Sequence, residues 1–273
     1  MTGAAGNRRA LRLARAASPV LPGGVARHEL QIGSRKLRWI ETGHGQPTVV
    51  LEAGRNETSH TWAPVISLLA GQVHVVAYDR AGLGASDKAD NPNILERQLA
   101  DLTTLISSVT SRPCVLAGHS WGGILVQLLA FRRPELVAAL ILVDPAHQDA
   151  AAILPGPARW LLRQAPNLKA LTGRPDELAG AAASRPLLQQ LRAAARPFPD
   201  VPVIVISATR GFPPGMRAHW TKLQASLAGS AAQGRHITAD GSGHAVHQQQ
   251  PQLVAKTILK AAAAAEHAGP RPN

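Results

Sequence analysis

The stretch Cys114-Val115-Leu116-Ala117-Gly118-His119-Ser120-Trp121-Gly122-Gly123 decides how the rest of the chain is read. Its first four residues are apolar and strand-like. The residues from Trp121 to Arg133 are apolar, free of proline and helix-forming. Between them lies a G-x-S-x-G pattern. A serine on a sharp strand-to-helix turn is held in a strained backbone conformation, and its neighbours two positions away must be small, as Gly118 and Gly122 are. Its hydroxyl then stands clear of the sheet, above a helix N-terminus whose dipole favours a developing anion. The motif therefore predicts Ser120 as a nucleophile. The plain alternative is a glycine-rich helix start with no chemistry.

Outward from this point, strand and helix signals alternate. His28–Gly33 and Leu37–Thr42 predict an opening hairpin. Thr48–Glu52, Val73–Tyr78, Ala139–Val143, Val203–Ser207 and Arg235–Ala239 predict further strands. Ser59–Ala70 has helical spacing. Ile94–Val109 places Leu95, Leu99, Leu102, Ile106 and Val109 on one face, and a last helix starts at Pro251. Apolar strands joined by helical crossovers predict an α/β fold: a mostly parallel central sheet with helices on both faces. Residues 147–199 break the alternation, with seven prolines and no strand-like run. That is too long for a crossover loop and predicts a small helical cap inserted after the sixth strand. The expected organisation is an arm over 1–24, a core over 25–146 and 200–267, and the cap over 147–199.

The chain has 273 residues, 45% apolar and 17% charged, which suits a folded protein with a full core. The single cysteine excludes a disulfide framework and a cysteine-built zinc site. The net charge of +12 suggests nucleic acid until it is located. Residues 1–38 carry eight Lys+Arg and one acid, more than half the excess, and the body lacks basic runs interleaved with aromatics. No nucleic-acid partner is expected, and the basic arm is expected to be disordered. The longest apolar run, Val137–Val143, is far too short to insert stably in a membrane. Ala10–Ala17 is interrupted by Arg12 and Arg15, unlike a secretory signal, so a cytoplasmic location is expected.

A nucleophilic serine needs a base. Three histidines cluster near the last strand: His236 within it, and His244 and His247 after it. The Gly-flanked loop Gly241-Ser242-Gly243-His244 favours His244. Asp79 and Arg80 read as a buried pair tying a turn together. Gly82-Leu83-Gly84 is no dinucleotide fingerprint, because Asp87 stands where a third glycine is needed.

The whole pattern, over roughly residues 28–265, resembles the α/β-hydrolase family. The segment from Val75 through Asp79-Arg80-Ala81-Gly82 to Asp87 looks like the family's strand and turn before its long helix. Leu51-Glu52-Ala53-Gly54-Arg55 looks like its oxyanion loop, where His-Gly is commoner. The resemblance implies the backbone N–H groups of Arg55 and Trp121 as oxyanion donors, and the cap as the family's lid. A serine at the elbow departs from the dehalogenase branch, which uses aspartate. The family usually places its acid after the strand read at 203–207, yet residues 201–239 contain no Asp or Glu. Its other site is the end of the preceding strand, where Asp144 stands in Leu142-Val143-Asp144-Pro145. Asp149 and Asp240 are rivals.

The expected activity is cofactor-independent cleavage of a carboxylic ester, lactone or related small-molecule acyl compound by Ser120, His244 and Asp144. No metal is called for. Trp160 and Leu161 in the cap are candidates to line an acyl pocket. Amide or iminopeptide hydrolysis and perhydrolysis use the same triad. From a different class comes a non-catalytic small-molecule-binding protein on the same scaffold.

Overall fold

A computed structural model describes residues 24–90, 95–147, 149 and 198–268. Eight strands form one sheet: β1 (Ala26–Ile32), β2 (Arg35–Thr42), β3 (Val49–Glu52), β4 (Val75–Asp79), β5 (Cys114–His119), β6 (Val137–Val143), β7 (Pro202–Ala208) and β8 (Gln233–Ala239). Their spatial order is β1-β2-β4-β3-β5-β6-β7-β8. β1 and β2 form the antiparallel hairpin, and β2 runs antiparallel to β4. Every later pairing is parallel. The β3/β4 exchange puts β3 beside β5, with Glu52 opposite Gly118.

Six helices accompany the sheet among the described residues: α1 (Ala63–Leu69), α2 (Leu95–Val109), α3 (Trp121–Arg132), α4 (Pro214–Gly229), α5 (Val246–Gln249) and α6 (Pro251–Ala268). A 3₁₀ turn, Ser59–Trp62, leads into α1. Successive strand residues face opposite sides, and the core divides accordingly. Val50, Val76, Leu116, Leu140 and Val203 pack with α2, α3 and α4. Val49, Val75, Val115, Ile141 and Ile206 pack with α1 and α6. α3 is buried all round from Trp121 to Phe131, as its apolar sequence requires.

Sequence reading misses α4 altogether. Its apolar positions are too sparse for a clear stripe, although Pro213-Pro214 is a legible start signal. Residues 148 and 150–197, most of the expected cap, and residues 1–23 of the arm lie outside the described residues, as do Trp160 and Leu161. The gap between β6 and β7 follows the sixth strand, where the insertion is expected. No described helix is long and apolar enough to cross a membrane.

Candidate active site

The turn from β5 into α3 carries Ser120 at φ 50°, a left-handed conformation that costs a non-glycine residue strain. Several contacts hold it there. Ser120 N–H donates to Val143 O at 3.1 Å, and Ser120 O accepts from Ala146 N–H at 2.9 Å and Gly123 N–H at 3.0 Å. The flanking glycines are sterically required. A Cβ on Gly118 would lie 2.5 Å from Gly122 O, and one on Gly122 would lie 2.4 Å from Glu52 O. Ser120 is fully buried, and its Oγ has no hydrogen-bond partner among the described residues.

On the adjacent strand, Asp144 follows β6 at φ 39°. Its Oδ2 lies 2.6 Å from Nδ1 of His244, the residue in the loop after β8. Its Oδ1 accepts from Ala208 N–H at 3.0 Å and from the indole N–H of Trp220 at 2.8 Å. Complete burial alone would raise the Asp144 carboxyl. His244, Trp220 and the Ala208 amide outweigh that and hold it below its ordinary value. The rivals stand elsewhere. Asp149 contacts His147, and Asp240 is exposed. His236 contacts Ser207 at 2.8 Å. His247 is buried against Trp62 and His119.

The loop after β3 is tied down from below by Arg80. This buried guanidinium donates to Ala53 O at 2.7 Å, to Gly54 O and to the Glu52 carboxylate, which also accepts from Tyr78 OH. Burial pushes the Glu52 carboxyl upward, and Arg80 and Tyr78 oppose that shift. The expected Asp79–Arg80 pair is not formed. Asp79 instead accepts from Ser59 N–H at 2.7 Å and Ala85 N–H at 2.8 Å, while Arg80 serves β3. The amide N–H and C=O of one trans peptide point opposite ways. With Gly54 O held by Arg80, the N–H of Arg55 points away from Arg80. The Arg55 guanidinium lies over the Trp121 ring at 4.1 Å, so both residues expected to supply oxyanion amides meet at one edge of the sheet.

Two residues that sequence reasoning passed over complete this region. His119, inside the elbow motif, lies with Nδ1 2.9 Å from Glu57 Oε2 and Nε2 3.0 Å from the carbonyl of His244. Glu57 Oε2 also accepts from Gly54 N–H at 2.8 Å. Desolvation would raise the Glu57 carboxyl, but the His119 contact and the Gly54 amide outweigh it and bring it down to about 2. The signal available in the sequence was a histidine between Gly118 and Ser120 in a motif read only for its serine. Glu57, His119 and His247 present ligand-type atoms within 4.8 Å of one another. They suit a metal ion poorly. Both His119 nitrogens are already engaged, and the His119 and His247 ring centroids are 4.2 Å apart. Two imidazoles on one tetrahedral ion at about 2.0–2.1 Å would sit roughly 5 Å apart.

With an elbow serine, a buried acid–histidine pair and a clamped loop on one mostly parallel sheet, the class is that of an α/β hydrolase. Residues 44–257 match the model of the alpha/beta hydrolase family, and the chain belongs to that family. It is 27% identical over 228 residues to the uncharacterized protein YqjL of Bacillus subtilis (strain 168), covering 82% of this chain and 87% of YqjL. It is 31% identical over 115 residues to epoxide hydrolase 4 of Mus musculus, covering 41% of this chain and 32% of that protein. Among solved structures, haloalkane dehalogenase DbeA from Bradyrhizobium elkani USDA94 superimposes with a TM-score of 0.69 at 19% identity, covering 90% of this chain and all of that one.

Proposed function

We propose that this protein is a cofactor-independent serine hydrolase that cleaves a carboxylic ester, lactone or related acyl compound through an acyl-enzyme. The observation that carries the reading is the 2.6 Å contact between Asp144 and Nδ1 of His244, formed beside a serine held at φ 50°. The elbow residue is a hydroxyl rather than a carboxylate, which favours acyl transfer over dehalogenation. In this reading Ser120 Oγ attacks the carbonyl carbon while His244 Nε2 takes its proton. Asp144, accepting the Nδ1–H bond, fixes the tautomer and stabilises the imidazolium. The N–H groups of Arg55 and Trp121 hold the tetrahedral oxyanion. The imidazolium then protonates the leaving alcohol. Water, deprotonated by His244, attacks the acyl-enzyme and releases the acid.

The test is a burst assay with p-nitrophenyl esters of short and long acyl chains, comparing the wild type with Ser120→Ala. A stoichiometric p-nitrophenol burst lost in Ser120→Ala is expected, and the chain-length profile sizes the acyl pocket. A folded wild type that neither bursts nor turns over any ester, lactone or amide would overturn the reading in favour of a binding protein on this scaffold.

A further inference from the structure

The Glu57–His119 contact is not needed to place a nucleophile, a base or an acid, yet it joins the elbow, the loop that carries His244 and the oxyanion loop. His119 ends β5 and immediately precedes Ser120. Its Nε2 faces the main-chain carbonyl of His244, and its Nδ1 faces Glu57, whose carboxylate also holds the Gly54 amide of the oxyanion loop. The approach is close. A Cβ on Gly54 would lie 2.6 Å from Glu57 Oε2 and 2.9 Å from His119 Nδ1, so a side chain there would push the Glu57 carboxylate off its present partners. His119 is 1% exposed and Glu57 27%.

Proton placement follows from the acceptors. A carbonyl oxygen can only accept, so Nε2 of His119 carries a hydrogen. At 2.9 Å, Nδ1 and Oε2 cannot face each other with lone pairs on both sides, so a second proton lies between them. An imidazole with both protons beside a carboxylate is neutral as a pair, which makes its burial tolerable. The other titratable and charged groups nearby are His247 on α5, against the His119 ring at 4.2 Å, and His244, at 4.6 Å. Behind Gly54 stand Arg80 and Glu52. His247 is fully buried, and that burial keeps it neutral, so it does not compete for the shared proton.

We propose that the Glu57–His119 pair is a positioning unit: it fixes the backbone of His244 through the Nε2–H bond and links that backbone to the oxyanion loop through Gly54. Neither residue touches the reacting atoms. The kinetic part of this inference rests on the serine-hydrolase reading above, whereas its geometric part does not.

The experiment uses three substitutions. Glutamine can place an amide N–H where Nε2 lies, asparagine reaches only the Nδ1 position, and leucine replaces neither. His119→Leu is expected to lower kcat on a p-nitrophenyl ester 10- to 100-fold with KM within about twofold, and to move the acid limb of the kcat/KM profile to lower pH as the Asp144–His244 bond loosens. His119→Gln should recover most of kcat, and His119→Asn should resemble leucine. Folding is checked by circular dichroism and thermal melting. A second readout needs no substrate: the far-downfield proton resonance of the His244 Nδ1–H, identified by its loss in Asp144→Asn. It should persist in His119→Gln and broaden away in His119→Leu. A folded leucine variant with wild-type kcat and an unchanged resonance would overturn the proposal, as would a glutamine variant as impaired as leucine. If the wild type turns over no ester, the hydrolase reading fails while the resonance still decides the positioning role.

Discussion

Asp144 is surrounded by three donors from three separate elements: the loop after β8, the end of β7 and α4. Asp144→Asn keeps the shape but cannot hold His244 in the needed tautomer. Turnover is expected to fall about 10³–10⁴-fold with the melting temperature little changed, read by steady-state kinetics beside thermal melting. Trp220→Phe keeps the ring and removes one donor to a charged group. It should cost roughly 1.5–3 kcal/mol in stability, measured by urea titration, and lower turnover less than Asp144→Asn does. At this scale the sequence was informative where chemistry is tied to position. Ser120, His244 and Asp144 were named because a motif, a glycine-flanked loop and an empty acid site singled them out, and the structure brings Asp144 and His244 into contact. Trp220, Glu57 and His119 were not named, since each acts by reaching across the fold to a partner between 62 and 76 residues away.

At the level of elements, the elbow depends on close main-chain approach. Gly122→Ala would force its Cβ against the Glu52 carbonyl at 2.4 Å, a backbone atom with no room to yield. Beneath that carbonyl, the buried Glu52–Arg80 pair joins β3 to the turn after β4. Arg80→Met would strand the Glu52 carboxylate and release two carbonyls, with an expected cost of about 3–5 kcal/mol. A lost or much lowered denaturation midpoint checks this, and a near-native midpoint would show that the pair is dispensable. The strands from β3 to β7 were readable because continuous apolar runs leave few alternatives. α4 was not: it rests on the sheet edge with few buried residues, and its main task is to deliver Trp220 and Gln224, the latter bonded to Pro145 O at 2.9 Å.

For the molecule as a whole, His247 and Glu57 give stability an acid dependence in two separate windows. The folded state holds His247 neutral well below its ordinary value through desolvation, whereas the unfolded chain protonates it near pH 6.5. Stability is therefore full above that pH and falls below it, by up to about 1.4 kcal/mol per pH unit. His247→Met should flatten the urea midpoint between pH 7 and 5. Glu57 is depressed to about 2, so its contribution is present above pH 4.5 and is lost toward pH 2, a separate and lower window.

Asp144 stands just after β6, and β7 meets it with main chain: the Ala208 N–H donates to its carboxylate and the Ile206 C=O accepts from its own N–H. Any amino acid except proline can supply both groups. With Asp144 as the proposed acid, the rim after β7, residues 209–213, need not supply the carboxylate that position usually carries in this family. Its side chains serve neighbours instead: Thr209 Oγ1 accepts from Gly241 N–H at 2.9 Å in the loop that carries His244, and the Phe212 ring lies 5.5 Å from that of Trp220, so a library varied at these two positions would reach the histidine loop and a donor to Asp144.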